Sequence, residues 1–95
     1  MHIEITQTYS DWENNLKVLV VRARIQARIE RLAQGNAGQH RVLTGGVSEL
    51  KLDFGAGYRV YYTRRGKTLI VLLAGGDKTS QSADIKTAIS LAKNL

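Results

Sequence analysis

The sequence predicts an α+β domain, with helices packed on one face of a mainly antiparallel sheet. Three observations carry that expectation. Ninety-five residues make one compact domain spanning 1–95 and not two. Hydrophobic periodicity is helical early and again at the end of the chain, and alternates with period two in between. The resulting order is strand, helix, helix, strands, helix, which differs from the strict alternation of an α/β protein.

His2 to Thr8 alternates as a first strand, with Ile3 and Ile5 on one side and Glu4 on the other. Ser10 or Asp11 can cap a short helix carrying Trp12 and Leu16. From Val18 to Gln34, residues Val18, Val21, Ile25, Ile29 and Leu32 recur at spacings of three and four, an amphipathic stripe. Gly35-Asn36 ends it. A loop over 36–46 leaves room for a short strand at 41–43. In Val47 to Phe54, Leu50, Leu52 and Phe54 face one way while Glu49, Lys51 and Asp53 face the other. Gly55-Ala56-Gly57 turns the chain into Tyr58 to Thr63, and Arg65-Gly66 turns it again. Leu69 to Leu73 is apolar at every position, as a strand covered on both faces must be. Gly75-Gly76 ends that strand. A last helix starting near Ser80 or Ser82 presents Ile85, Ala88, Ile89 and Ala92 to the body.

Composition narrows the chemistry. With no cysteine, disulfides, thiolate catalysis and Cys-based zinc sites are excluded. The two histidines, His2 and His40, have no ligand spacing and are expected at the surface, so neither a metal nor another cofactor is expected. The amino terminus lacks a charged segment followed by an apolar run, and the longest apolar stretch, Leu69 to Ala74, is strand-sized. A cytoplasmic, non-membrane protein is expected. A formal charge of +6 favours a polyanionic partner: nucleic acid, an acidic protein or an anionic membrane.

The 47–63 hairpin holds the densest candidates. Pairing Phe54 with Tyr58 across a three-residue loop sets Asp53 opposite Arg59 and Lys51 opposite Tyr61. Glu49, Lys51, Asp53, Arg59 and Tyr61 then share one polar face, with cations for a phosphate and groups able to move protons. Spacing alone favours an ordinary solvated face. The same holds for Arg24, Arg28 and Arg31, which lie along one side of the long helix, away from the apolar stripe. Gly75-Gly76-Asp77-Lys78 lacks the spacing of a nucleotide-binding loop, but it brings Lys78 to the end of a sheet. Trp12 is expected as a packing anchor and Tyr62 as core.

Four stretches resemble a known family in order and spacing. Ala23 to Leu32 followed by Gly35-Asn36 resembles the arginine-rich helix of the addiction module killer proteins, HigB-like members of the RelE/ParE superfamily. Val47-Ser48-Glu49-Leu50-Lys51 resembles their VxELR strand, and Gly55 to Tyr62 their GPGYRVYY hairpin. Leu72 to Lys78, with Gln81 and Asp84-Ile85, resembles their LLxGGDKxxQxxDI segment. Lys51 stands where the family usually has arginine, and a lysine cannot form a bidentate fork on phosphate. Ala56 replaces the usual loop proline.

The resemblance implies a RelE-like fold: an antiparallel sheet with two N-terminal helices packed on it and a C-terminal helix. It also implies the toxin of a type II toxin–antitoxin pair. Its implied activity is that of a metal-independent, ribosome-dependent mRNA interferase, an endoribonuclease that stops translation. By motif, Arg59 matches the sheet arginine of RelE toxins, Lys51 a sheet lysine, and Lys78 the arginine after the last strand. Their terminal tyrosine falls near Asp84, so no matching tyrosine exists here.

RNA brings its own nucleophile, the 2′-hydroxyl. A metal-free site needs cations for the developing phosphorane charge, a proton acceptor and a proton donor. Arg59 and Lys78 are assigned to the phosphate, Lys51 or Glu49 to proton acceptance, and Tyr61 or Asp84 to orientation or donation. Arg24, Arg28 and Arg31 would contact RNA or the ribosome. A neighbouring antitoxin with a helix-turn-helix domain is the implied partner, beside ribosome and mRNA. Two other classes share the pattern: a gyrase-directed, non-nuclease toxin, and a non-catalytic RNA- or partner-binding module.

Overall fold

The computed structural model describes residues 1–95. In chain order the elements are β1 (His2–Ile5), α1 (Gln7–Asn14), α2 (Leu19–Ala33), β2 (His40–Val42), β3 (Val47–Leu52), β4 (Tyr58–Arg65), β5 (Leu69–Gly76) and α3 (Gln81–Lys93). The strands form one sheet in the order β1-β5-β4-β3-β2. β1 runs parallel to β5, and every other neighbouring pair is antiparallel. No helix is long and apolar enough to cross a membrane.

The helices do not share one face, which corrects the sequence expectation. α1 and α2 cover one side, where Tyr9, Ile25, Ile29 and Leu32 pack on Leu50, Leu52, Val60, Tyr62, Ile70 and Leu72. α3 crosses the other side, where Ala88 and Ala92 meet Val47, Tyr61, Val71, Leu73 and Ala74. The reason lies in β5. Its apolar residues project to both faces, and each face must be removed from water. The two alanines let α3 lie close to the sheet.

Two local devices set the helices. Thr6, rather than Ser10 or Asp11, caps α1: its Oγ1 accepts from the Tyr9 N–H at 3.0 Å. The same hydroxyl donates to the Leu73 carbonyl at 2.6 Å. Leu73 is the extra residue of a bulge between β4 and β5, since Tyr61 pairs with Ala74 while Tyr62 pairs with Leu72. Past the bulge, Gly75 faces α1 and Gly76 faces α3. A Cβ on Gly75 would overlap the Trp12 ring, and one on Gly76 would overlap the Asp84 carboxylate. Leu16 lies beyond the end of α1, and Val18 is an exposed N-cap of α2 rather than part of its buried stripe.

The β3–β4 hairpin also departs from expectation. Lys51 pairs with Arg59 and Glu49 with Tyr61, so Asp53 is outside the ladder and exposed. The loop spans residues 53–57. Gly55 and Gly57 both take positive φ, 55° and 73°, and the Gly57 N–H bonds the Phe54 carbonyl at 3.0 Å. Phe54 therefore packs on the Tyr58 ring, centroids 5.4 Å apart, instead of entering the ladder.

Candidate active site at the N-terminal end of α3

Two cross-strand rows explain the site. One row runs Lys51–Arg59–Gly76 across β3, β4 and β5, and the next runs Arg41–Glu49–Tyr61–Ala74 across β2 to β5. Because side chains alternate along each strand, the chemistry-bearing members of both rows project toward α3. The N-terminal turn of α3 lies over them and contributes Gln81 and Asp84.

Glu49 has no exposed surface. Its Oε2 accepts from Gln81 Nε2 at 2.9 Å. Its Oε1 lies 3.3 Å from Arg41 Nη2 and 4.0 Å from Arg59 Nε. A buried carboxylate is tolerable when it is paired in this way. Tyr61 is equally buried, and its hydroxyl faces Glu49 without reaching a well-formed hydrogen bond. Burial, then the Glu49 charge, push the phenol well above its ordinary range. Glu49 and Tyr61 were expected on an open polar face. They lie instead beneath α3, which corrects that expectation and removes both from reach of a substrate in this conformation.

Arg59 is nearly buried, at 6% exposure, and its three nitrogens have different fates. Nη1 donates to the carbonyls of Gly57 at 2.8 Å and Tyr58 at 3.2 Å. Nε is buried, facing Glu49. Nη2 makes no hydrogen bond to the protein and keeps some exposed surface. Arg59 lines an open cleft of about 580 Å³ together with the 53–57 loop, Lys78 and Thr79.

Lys78 is exposed. Its backbone N–H bonds the Ala56 carbonyl at 3.3 Å, and its Cβ packs against Gly57, where a Cβ would come within 3.3 Å of it. The strand exit and the hairpin loop are thereby stitched together with both cations on the cleft. Asp77 makes that exit turn: its Oδ1 accepts from the Thr79 N–H at 2.9 Å, Thr79 Oγ1 at 2.6 Å and the Ser80 N–H at 3.2 Å. The Thr79 side-chain hydrogen bond foremost holds the Asp77 carboxyl below its usual value. Asp84 is half-buried over Gly76, and its Oδ2 accepts from Ser80 Oγ at 2.5 Å. Lys51 is half-buried beside Arg59 in register but is not among the residues lining the cleft.

The arginines of α2 separate. Arg24 and Arg31 are exposed, and Arg24 lies over the Phe54 ring, 4.7 Å from its centroid. Arg28 was expected to share their open side. Its Nη1 instead donates to the Lys51 carbonyl at 2.8 Å, and its Nη2 to those of Ala37 and Gln39 at 3.0 and 2.9 Å. Those carbonyls belong to the loop before β2 and to β3, so Arg28 ties helix to sheet. The three arginines, with Asp53 and Phe54, line a second, smaller groove of about 270 Å³. Phe54 stands between this groove and the Arg59 cleft, lining both.

Sequence reasoning missed Arg41 and Gln81 as parts of the site. Arg41 sits on a three-residue edge strand, and aligning it with Glu49 across Gly45-Gly46 would have found it. Gln81 needs the knowledge that α3 crosses the Glu49 face, which period counting does not supply. Trp12, Tyr62 and both histidines lie where expected: Trp12 half-buried on Gly75, Tyr62 in the core, His2 and His40 exposed.

This combination of sheet order and helices on both faces is that of an α+β protein of RelE-like fold. The chain superposes on E. coli toxin RelE, a mutant solved in the free state, with a TM-score of 0.61 and 19% identity over 88% of this chain and 93% of that one. Residues 13–95 match the family described as Phage derived protein Gp49-like (DUF891). An uncharacterised protein of Haemophilus influenzae is 44% identical over 95 residues, covering all of this chain and 96% of that protein. The chain belongs to the Gp49-like family.

Proposed function

We propose that this chain is the toxin of a toxin–antitoxin pair and that it cuts translated mRNA as a ribosome-dependent endoribonuclease of HigB type. The observation that carries the reading is the unpaired Nη2 of Arg59, fixed at the rim of a cleft it shares with Lys78. The RelE-like fold supports it.

The reaction uses the substrate's own nucleophile. The ribose 2′-oxygen attacks the adjacent phosphorus and the P–O5′ bond breaks, giving a 2′,3′-cyclic phosphate and a 5′-hydroxyl. The 2′-proton goes to an acceptor and a proton reaches the departing 5′-oxygen. Arg59 and Lys78 stabilise the phosphorane charge that develops between these events. Burial removes Glu49 and Tyr61 from direct proton transfer, which leaves Lys51 and Asp84 for those roles. Neither is ideal for both, so holding the mRNA in line on the ribosome supplies much of the rate. Arg24 and Arg31 make phosphate contacts during docking. A cationic working face also favours an antitoxin with an acidic binding segment beside its helix-turn-helix domain, because opposite charge speeds encounter.

Induced expression followed by transcript end-mapping tests the proposal. Growth arrest with new 5′-hydroxyl ends within translated mRNA is expected, with loss of both in Arg59→Ala. Intact transcripts accompanied by gyrase-linked DNA breaks would replace the nuclease with a gyrase-directed toxin. Cleavage in a ribosome-containing extract should not require a transition metal; activity restored only by such a metal after chelation would contradict the mechanism.

A further inference from the structure

We propose that Gln81 and Glu49 are positioning residues for Arg59, and that α3 completes the phosphate site through the Gln81 amide. This inference rests on the nuclease reading above and extends it to residues that no part of that reading uses.

Glu49 is a fully buried carboxylate at the meeting point of β2, β4 and α3. Burying an ion is unfavourable unless neighbouring charges and donors compensate, so the arrangement calls for a reason. A guanidinium is planar and rigid. With Nη1 held by two carbonyls and Nε facing Glu49 Oε1, the direction of Nη2 is fixed. The Glu49 charge, 4.0 Å from Nε and making no hydrogen bond to it, then biases where the remaining donor of Arg59 points. Gln81 in turn decides how Glu49 sits: by occupying Oε2 it turns Oε1 toward Arg41 and Arg59.

The charges support the same reading. Two guanidiniums, Arg41 and Arg59, share one carboxylate, which leaves a single positive charge in the cluster. A phosphodiester anion reaching Nη2 would balance it. Three of the four buried side-chain polar atoms lacking a hydrogen bond also gather here: Glu49 Oε1, Arg59 Nε and Tyr61 Oη. The concentration of unmet groups at one place sets this cluster apart from the rest of the interior. The remaining one, Arg28 Nε, belongs to the helix–sheet tie.

The test compares the full-length parent with Gln81→Leu, which keeps the bulk and removes the donor, and with Gln81→Asn, which keeps an amide on a shorter stem. Cleavage is measured per folded molecule in a ribosome-containing extract. In parallel, the Arg59 Nε–Hε resonance is followed by NMR in the free protein. In Gln81→Leu, kcat is expected to fall by about 10²-fold, the size of a small misplacement of a catalytic group, with KM little changed. The Arg59 resonance should move, and Gln81→Asn should fall between Gln81→Leu and the parent in both readouts. A purely structural Gln81 would lower the melting temperature without either effect. Parental kcat in Gln81→Leu, or an Arg59 resonance that stays in place, overturns the proposal. If Gln81→Leu does not fold, Gln81→Asn decides by the same two readouts. A parent that cuts no RNA defeats the nuclease reading instead, and the resonance alone then decides whether Gln81 positions Arg59.

Discussion

On the α1/α2 face of the sheet, large apolar side chains from two helices and three strands interlock, and none of the buried members is charged. On the α3 face the apolar contact is built from small residues, Ala88 and Ala92, over Val47, Val71 and Leu73. At the N-terminal end of α3 it gives way to Glu49, Arg59, Gln81 and Asp84. The strands are the same; only the parity of the residue differs. One face of the sheet thus carries the larger apolar core and the other the residues of the proposed site, and α3 packs over both parts of that second face.

The largest expected effect is on the α1/α2 face. Leu50→Ala leaves a void between β3 and α2 at a position with no exposed surface and should cost about 2–5 kcal/mol. The denaturation midpoint should fall accordingly, while cleavage per folded molecule stays at the parental rate. A loss of rate without a loss of stability would mean that the two faces are not separable.

Arg59→Ala is the complementary change. An open polar-face arginine could be removed at little cost, but Arg59 is buried and helps to compensate Glu49. Its removal should cost about 1–3 kcal/mol, because Arg41 remains at 3.3 Å to hold the carboxylate. Toxicity should be lost at temperatures where the variant is still folded. A folded Arg59→Ala protein that arrests growth as the parent does would remove Arg59 from the site.

The two faces were unequally legible in the sequence. Ile25, Ile29 and Leu32 stand out by spacing, and Leu69 to Leu73 announces a strand covered twice. That second observation already implied a helix on each side, yet period counting assigns residues to faces without saying which element covers a face. The same gap hid Gln81. The hairpin register was misplaced by two residues because Phe54 continues the alternation of β3. Its ring is held instead by Tyr58 and Arg24, partners that become neighbours only once the 53–57 loop is formed. Residue types at the candidate site were visible because the stretches that carry them resemble known motifs; their exposure was not, because burial of Glu49 and Tyr61 depends on where α3 lies.

A smaller effect is expected for Tyr61→Phe. The Tyr61 hydroxyl is buried beside Glu49 and meets no well-formed hydrogen-bond geometry, so removing it should change stability by no more than about 1 kcal/mol. Its influence emerges at high pH. Burial raises the folded-state pKa of Tyr9, Tyr61 and Tyr62 above the ordinary phenol value. For a raised group, the stabilising contribution is complete below the unfolded pKa and is lost as pH climbs from there toward the folded one. Unfolding free energy should therefore fall above about pH 10, and Tyr61→Phe should fall less steeply. Parallel curves for parent and variant would show that the phenol is not held neutral by the α3 face.

The smallest effect belongs to the turn that joins the two regions. Asp77 ends β5 and leads into α3, holding Thr79 and Ser80 through Oδ1. These hydrogen bonds favour the ionised form and lower its pKa in the folded state. A depressed carboxylate contributes fully above its unfolded value, about 3.9, and the contribution is lost as pH falls through the folded value. The residue is half-buried but its carboxyl is largely open to solvent, so screening keeps the contribution slight. In Asp77→Asn an amide oxygen can still accept from Thr79 and Ser80, so the turn, the placement of Lys78 and the start of α3 should persist at neutral pH. Acid titration of unfolding should then show a flatter limb below pH 4 in the variant than in the parent, with cleavage at neutral pH unchanged. If Asp77→Asn instead lowered cleavage at neutral pH while leaving the acid limb as it was, the charge of Asp77 would be acting on the cleft, and the turn would belong to the proposed site.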